Sequence, residues 1–256
     1  MLEILDFIKL YSQKQTELDK KFIEELYYFL CSQYLVEDYV ENINISTREN
    51  GHYFAYYIPS SKSLSVFQNK IMKDIITFIN TLNLPSKDRK MAIYLCFFHI
   101  VNHEFKHIIQ EKKKHTNPKS IESRILYLAD RAERQYSEDG MLFARYKIDP
   151  IERQAELSSL SEFITMTQNE NIKVLEDEMT KRYISDAIKG YFPPDFREYP
   201  AGDFFICCSD YDYEMKRLVN ELNDYPVKND NFKERIELGL RITDSEYKKL
   251  EKVIKR

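Results

Sequence analysis

Residues 86–110 read SKDRKMAIYLCFFHIVNHEFKHIIQ. Met91, Leu95, Phe98, Val101, Phe105 and Ile108 recur every three or four positions, the spacing of an apolar stripe on an α-helix. Ser86 follows Pro85 and suits the N-cap. Within this helix, His103-Glu104-Phe105-Lys106-His107 is an HExxH motif. Positions i and i+4 share one helix face, so both imidazoles can point at one metal ion. Glu104, one residue on, turns its carboxylate to the side where an attacking water would stand and could take its proton as a general base. The chain has five histidines in 256 residues. With 42 acidic residues treated as Glu, the motif arises by chance in roughly one or two per cent of such compositions. Three of the five histidines fall at 99, 103 and 107, one stripe.

Outward from this helix, residues 2–42 predict one or two helices, with apolar residues at 18, 22, 26, 29, 30 and 34. Residues 43–67, INISTRENGHYFAYYIPSSKSLSVF, change character. They are rich in β-branched and aromatic residues, and turn signals at Glu49-Asn50-Gly51 and at Pro59 to Lys62 predict a small antiparallel sheet of two or three strands. A helix over about 69–83 leads into the motif helix. After it, 111–120 (EKKKHTNPKS) predicts a charged loop. A helix over 119–138 ends at Glu138-Asp139-Gly140, and Asp149-Pro150 opens a helix over 149–168, with Asp as cap and Pro at a position that needs no N–H. Further helices are expected over about 172–189, 210–223, 231–240 and 244–255. The last carries a Thr243/Glu246 capping-box spacing. A Pro-rich loop at 193–200 and a short strand at 204–208 lie among them. The domain plan is N-terminal helices at 1–42, a core at 43–170 and a helical extension at 171–256 packed on that core.

Composition narrows the classes. Hydrophobic residues are 43% and charged residues 31%, which suits a folded globular chain rather than a disordered one. Only five glycines leave a many-turned sandwich without its turn residues. A net charge of −4 argues against a dedicated nucleic-acid binder. The best apolar window, 91–109, is interrupted by His99, Asn102, His103, Glu104, Lys106 and His107, so no membrane span is expected. Glu3 and Asp6 break the start as a signal peptide. Cys31, Cys96, Cys207 and Cys208 form no CxxC pair and read as reduced thiols of a cytoplasmic protein.

Two histidines leave a catalytic metal short of the usual three protein ligands. The leading third ligand is Glu152, in YKIDPIERQAE at 146–156. It sits in the first turn of a helix whose Ala155 permits close approach. Glu156, one turn on, stands near enough to hydrogen-bond a ligand imidazole. The competing role for Glu152 is local, because Asp149 and Glu152 also have the spacing of an N-cap and its N3 acid. Glu133 and Glu122 are rival third ligands. His99 is a candidate to support the metal ligands, or else a hydrogen-bonded core histidine. His52 and His115 fall in loop-like contexts, Lys112-Lys113-Lys114 reads as a solvated helix end, and Tyr146 and Tyr183 are candidates to stabilise an oxyanion.

HEFKH followed by Tyr146-xxx-Pro150-x-Glu152-xx-Ala155 resembles the ImmA/IrrE-type metallopeptidases, small zinc proteins of bacteria, phages and mobile elements. The resemblance covers roughly 43–168. The chain departs from the family pattern at Glu156, where Asn or Asp is usual, in the long interval from His107 to Glu152, and in lacking a Phe-Ala pair after Ala155. The resemblance implies a mainly helical α+β fold with a zincin-like core: a small antiparallel sheet, the HExxH helix and a third-ligand helix. It implies Zn²⁺ on His103, His107 and Glu152, Glu104 as general base, and a specific intracellular protein, such as a repressor, as peptide substrate. Two rival readings stand beside it: a regulatory or interaction protein that keeps this fold without cleaving, and a helical protein with no metal.

Overall fold

The computed structural model describes residues 2–14, 18–49, 53–138 and 149–167, with residues 181–183, 186 and 217 in addition. Two helices come first, α1 (Leu2–Lys14) and α2 (Lys20–Tyr34). Asp19 starts α2 from an extended conformation, its carboxylate accepting the Phe22 amide at 2.8 Å. Phe22, Ile23, Leu26, Tyr27, Leu30 and Cys31 form the buried side of α2. The helix ends at Leu35, in the left-handed region with φ 54°. The Lys112 ammonium donates to the carbonyls of Tyr34 (3.3 Å) and Leu35 (2.7 Å), placing a cation at the negative helix end.

Three strands follow, β1 (Asn42–Ser46), β2 (Ala55–Ile58) and β3 (Ser63–Phe67), in the order β1-β3-β2. β2 and β3 are antiparallel, with Ala55 opposite Val66 and Ile58 opposite Ser63. A turn at Pro59–Lys62 joins them, and Lys62 takes φ 45° to close it. β1 runs parallel to β3, with Asn42 opposite Ser63 and Ser46 opposite Phe67. The sheet is therefore mixed, which corrects the antiparallel expectation. β3 explains the order: Ser63, Leu64, Ser65 and Val66 are all buried, so this strand is covered on both faces and takes the centre. β1 and β2, each partly exposed, become the edges.

After the sheet come α3 (Gln68–Asn80), α4 (Ser86–Thr116), α5 (Ile121–Glu138) and α6 (Pro150–Thr167). Ser86 is not the cap of α4 but its first helical residue. The Pro85 carbonyl, one position earlier, accepts from the amides of Asp88 and Arg89. α4 also runs through 111–116, where a loop is expected from sequence. Lys112 is held by α2, Lys113 pairs with Glu122 at 2.7 Å, and Lys114 pairs with Asp130. The lysines lie at the helix end, where basic residues suit the dipole, and each is also partnered; the Lys113 side chain is 42% exposed and that of Lys114 14%. His115 lies in the last helical turn rather than in a loop. Ser120 caps α5, accepting the Ser123 amide at 3.0 Å. Asp149 caps α6 as expected, its carboxylate accepting the Ile151 amide at 2.8 Å and its carbonyl the Arg153 amide.

The chain divides into two compact units, residues 1–112 with 159–183 and residues 113–158 with 184–256. In the first, the fully buried Phe22 packs edge-on against Tyr94 at 4.7 Å and Phe97 at 6.1 Å, and Phe105 packs against Tyr27 at 6.0 Å. In the second, Ile125, Leu126, Leu128, Ala129, Ala155 and Leu157 are buried. α4 and α6 each contribute residues to both units. The architecture is α+β and mainly helical. Among the described residues no helix is long and apolar enough to cross a membrane. Apart from 181–183, 186 and 217, the expected elements at 172–189, 193–200, 204–208, 210–223, 231–240 and 244–255 lie outside the described residues, as do Cys207 and Cys208.

Candidate metal centre

His103 and His107 lie one turn apart on α4, and their Nε2 atoms are 3.2 Å apart. Two zinc–nitrogen bonds of about 2.0–2.1 Å at a tetrahedral angle hold their nitrogens about 3.3 Å apart. The two imidazoles are therefore already spaced as co-ligands of one ion. Glu152, in the first turn of α6, supplies the third donor: one ligand atom each from His103, His107 and Glu152 lies within 4.8 Å of the others. Donors on one ion at about 2 Å can be no more than about 4.2 Å apart. In a tetrahedral set the same bond lengths put donors about 3.4 Å apart, so a carboxylate adjustment of up to roughly 1.4 Å completes the set. His103 is buried, whereas His107 and Glu152 are half-buried, so the cluster is reachable from solvent. Two imidazole nitrogens with one carboxylate oxygen make a zinc-type donor set that leaves a fourth position open. The residues present fit the ion.

His107 has a partner that the sequence reading missed. Gln110, three residues on and buried, places Oε1 2.9 Å from His107 Nδ1. Gln110 is the last residue of the stretch taken as helical from sequence, so it read as a boundary position. The helix in fact continues, and i, i+3 neighbours on it touch.

The other expected site residues are distributed as follows. Glu104 follows His103 on α4 and is half-buried. Glu156 is buried on α6, as is Ala155. Both ring nitrogens of His99 have hydrogen-bond partners. Nδ1 lies 2.7 Å from the Tyr183 hydroxyl and Nε2 3.1 Å from Ser159 Oγ, with the rings of Phe163 and Tyr183 against it. It is a hydrogen-bonded core histidine. Tyr183, an oxyanion candidate from sequence, makes this contact through its hydroxyl. Glu122 Oε1 accepts from Lys113 at 2.7 Å and from Gln154 at 2.6 Å, and Glu122 is not among the clustered donors. His52, Tyr146 and the Glu133 side chain lie outside the described residues.

Beside the histidine stripe, α4 carries a second polar row, Asn102 and Lys106. Lys106 Nζ donates to Glu162 Oε1 at 2.6 Å and to the Tyr34 hydroxyl at 3.2 Å, and it lies 4.4 Å over the Tyr34 ring. Asn102 Nδ2 donates to Glu162 Oε2 at 2.7 Å. The Tyr34 hydroxyl reaches the same oxygen at 2.6 Å. Burial, followed by the Glu162 charge, pushes the Tyr34 phenol well above its ordinary range, so it stays protonated and donates. Three donors thus converge on one carboxylate. Lys106 occupies a variable position of HExxH, and only its recurrence four residues after Asn102 on an otherwise apolar flank signals the row.

At the start of α6, Arg153 is fully buried next to Glu152 in sequence. Burial lowers its guanidinium to about 10, against the opposing pull of Asp149. It remains a cation at neutral pH. Comparisons with family models, with curated proteins and with solved structures found no match.

Proposed function

We propose that the protein is a zinc-dependent metallopeptidase of the ImmA/IrrE type, with a zincin-like core formed by the sheet, α4 and α6. The observation that carries this reading is the convergence of His103, His107 and Glu152, two of them from an HExxH helix and the third from a separate helix. His103, His107 and Glu152 would hold the zinc. When bound, zinc supplies Lewis-acid polarisation of the scissile carbonyl and acidifies water. Glu104 accepts the proton of the attacking water and delivers it to the departing amine. It is not counted among the ligands, so its two roles need no release from an ion.

The substrate in this reading is an extended segment of one intracellular protein, a repressor by analogy with the family, and the protein acts in the cytoplasm. Selectivity would come from residues 111–148, which stand between the HExxH helix and the third-ligand helix in sequence. The deciding experiment measures zinc content and peptide cleavage together. Wild type should hold one zinc per chain, and His103→Ala and Glu152→Ala should lose both metal and activity. Glu104→Gln should keep the metal and stop cleavage. Casein should be cut slowly or not at all, and a protein encoded beside this one should be cut once. Cleavage by Glu104→Gln at the wild-type rate, or a metal-free wild type, defeats the proposal.

A further inference from the structure

A ligand imidazole must do more than lie near its ion: its coordinating nitrogen must carry a lone pair, not a proton. In a neutral histidine this is decided by the hydrogen bond at the other nitrogen. His107 directs Nε2 toward His103, at 3.2 Å, and Nδ1 toward Gln110 Oε1, at 2.9 Å. An amide oxygen is only an acceptor, so this contact requires the proton on Nδ1. Gln110 is 4% exposed, which leaves water little room to replace it as acceptor. Both residues are on α4, at i and i+3 of one rigid helix, so the contact exists before any ion arrives.

We infer that Gln110 is the positioning residue of His107: it holds the Nδ1–H tautomer and so presents the Nε2 lone pair to the metal. The inference deepens the zinc reading and its value for affinity rests on it, but the tautomer itself can be measured without metal. Residues that orient a metal-bound histidine in this way are typically worth 10–100-fold in metal affinity. Gln110→Leu removes the acceptor at similar volume. Gln110→Glu keeps an acceptor oxygen at the same reach.

The experiment has two arms. In the first, ¹H–¹⁵N correlation spectra of the metal-free full chain, labelled at histidine and recorded at pH 8.5, assign the His107 tautomer. Wild type and Gln110→Glu should show the proton on Nδ1, and Gln110→Leu should lose that preference. A wild-type spectrum with the proton on Nε2 overturns the inference. In the second, chelator competition gives zinc affinity. Gln110→Leu should bind about 10–100-fold more weakly than wild type, with Gln110→Glu restored to within a few-fold. A folded Gln110→Leu that binds zinc as tightly as wild type overturns it. If Gln110→Leu does not fold, loss of the Nδ1 tautomer or of zinc in Gln110→Glu overturns it equally. If wild type shows the expected tautomer and takes up no zinc, the positioning role stands and the metallopeptidase reading falls.

Discussion

The Lys106–Glu162 pair offers a stability test whose sign and asymmetry follow from the structure. The Lys106 side chain is 8% exposed and that of Glu162 is 21% exposed. Breaking a buried pair by removing one partner costs about 3–5 kcal/mol, mainly because the other charge is left uncompensated. Lys106→Met leaves the Glu162 carboxylate with two donors, Asn102 and Tyr34, and with some access to water. That change should fall near the lower end, about 3 kcal/mol. Glu162→Met leaves an ammonium that is almost wholly covered, beside the Tyr34 hydroxyl and ring. It should cost more, about 4–5 kcal/mol. The double variant removes both charges and keeps apolar volume, so its cost should fall short of the sum by about 2 kcal/mol or more. Urea unfolding followed by circular dichroism measures all four corners of the cycle. Thermal midpoints should fall by roughly 2–4 °C per kcal/mol for a chain of this size. Additive single costs, or a Lys106 variant worse than the Glu162 variant, would refute the argument that a stranded buried ammonium dominates.

Other outcomes are expected from single features. Asp19→Ala removes the side-chain cap of α2 and should cost about 1 kcal/mol in the same urea assay, with Asp19→Asn close to wild type. Zinc at about 100 times its dissociation constant should add about 2.7 kcal/mol to unfolding stability, an increment that EDTA reverses and that His103→Ala lacks. Burial raises Cys31 from 9.0 to about 11, and Tyr57 and Tyr94 from 10.0 to about 12. Each folded value lies above the unfolded one, so this stabilisation is complete below about pH 9 and is lost as pH rises from there through about 12. Urea midpoints measured from pH 7 to 11 should therefore hold level to about 9 and then decline, and a rise over that interval would contradict the burial of these groups. Cys96, fully buried and also pushed upward, should react with a thiol reagent only as fast as the chain unfolds.

What the sequence made legible was periodic and local. The α4 stripe, the Asp149 cap and the HExxH spacing each depend on neighbours within a turn or two, and each appears in the structure where the pattern places it. The misreadings arose where a partner lies far away in the chain. Residues 111–116 have the composition of a loop, yet the lysines are held helical by carbonyls near 35 and by Glu122 and Asp130. Likewise, alternation and turn residues predict two or three strands but cannot say that β1 pairs with β3, because the decision rests on which strand is covered on both faces.

The histidine stripe shows the same limit at the site. His99, His103 and His107 are equivalent by spacing on α4, and only what α6 places against them separates their roles. Ser159 meets His99, whereas Glu152 meets His103 and His107. Glu152, Ala155, Ser159 and Glu162 fall three or four residues apart, which is one stripe of a helix. That stripe contains no large apolar residue, so hydropathy does not mark it as a packing face. Its counterparts on α4, His99, Asn102, His103, Lys106 and His107, are equally polar. Along this stripe the two helices meet through hydrogen bonds and charge, with the buried Phe163 ring against His99 beside it. Such a face could have been sought by asking which helix carries acids and small residues at the same spacing as the histidines. By that criterion Glu152 and Glu162 fall on one stripe, and they divide the work: one lies with His103 and His107 in the candidate metal cluster, the other neutralises the lysine inside the motif.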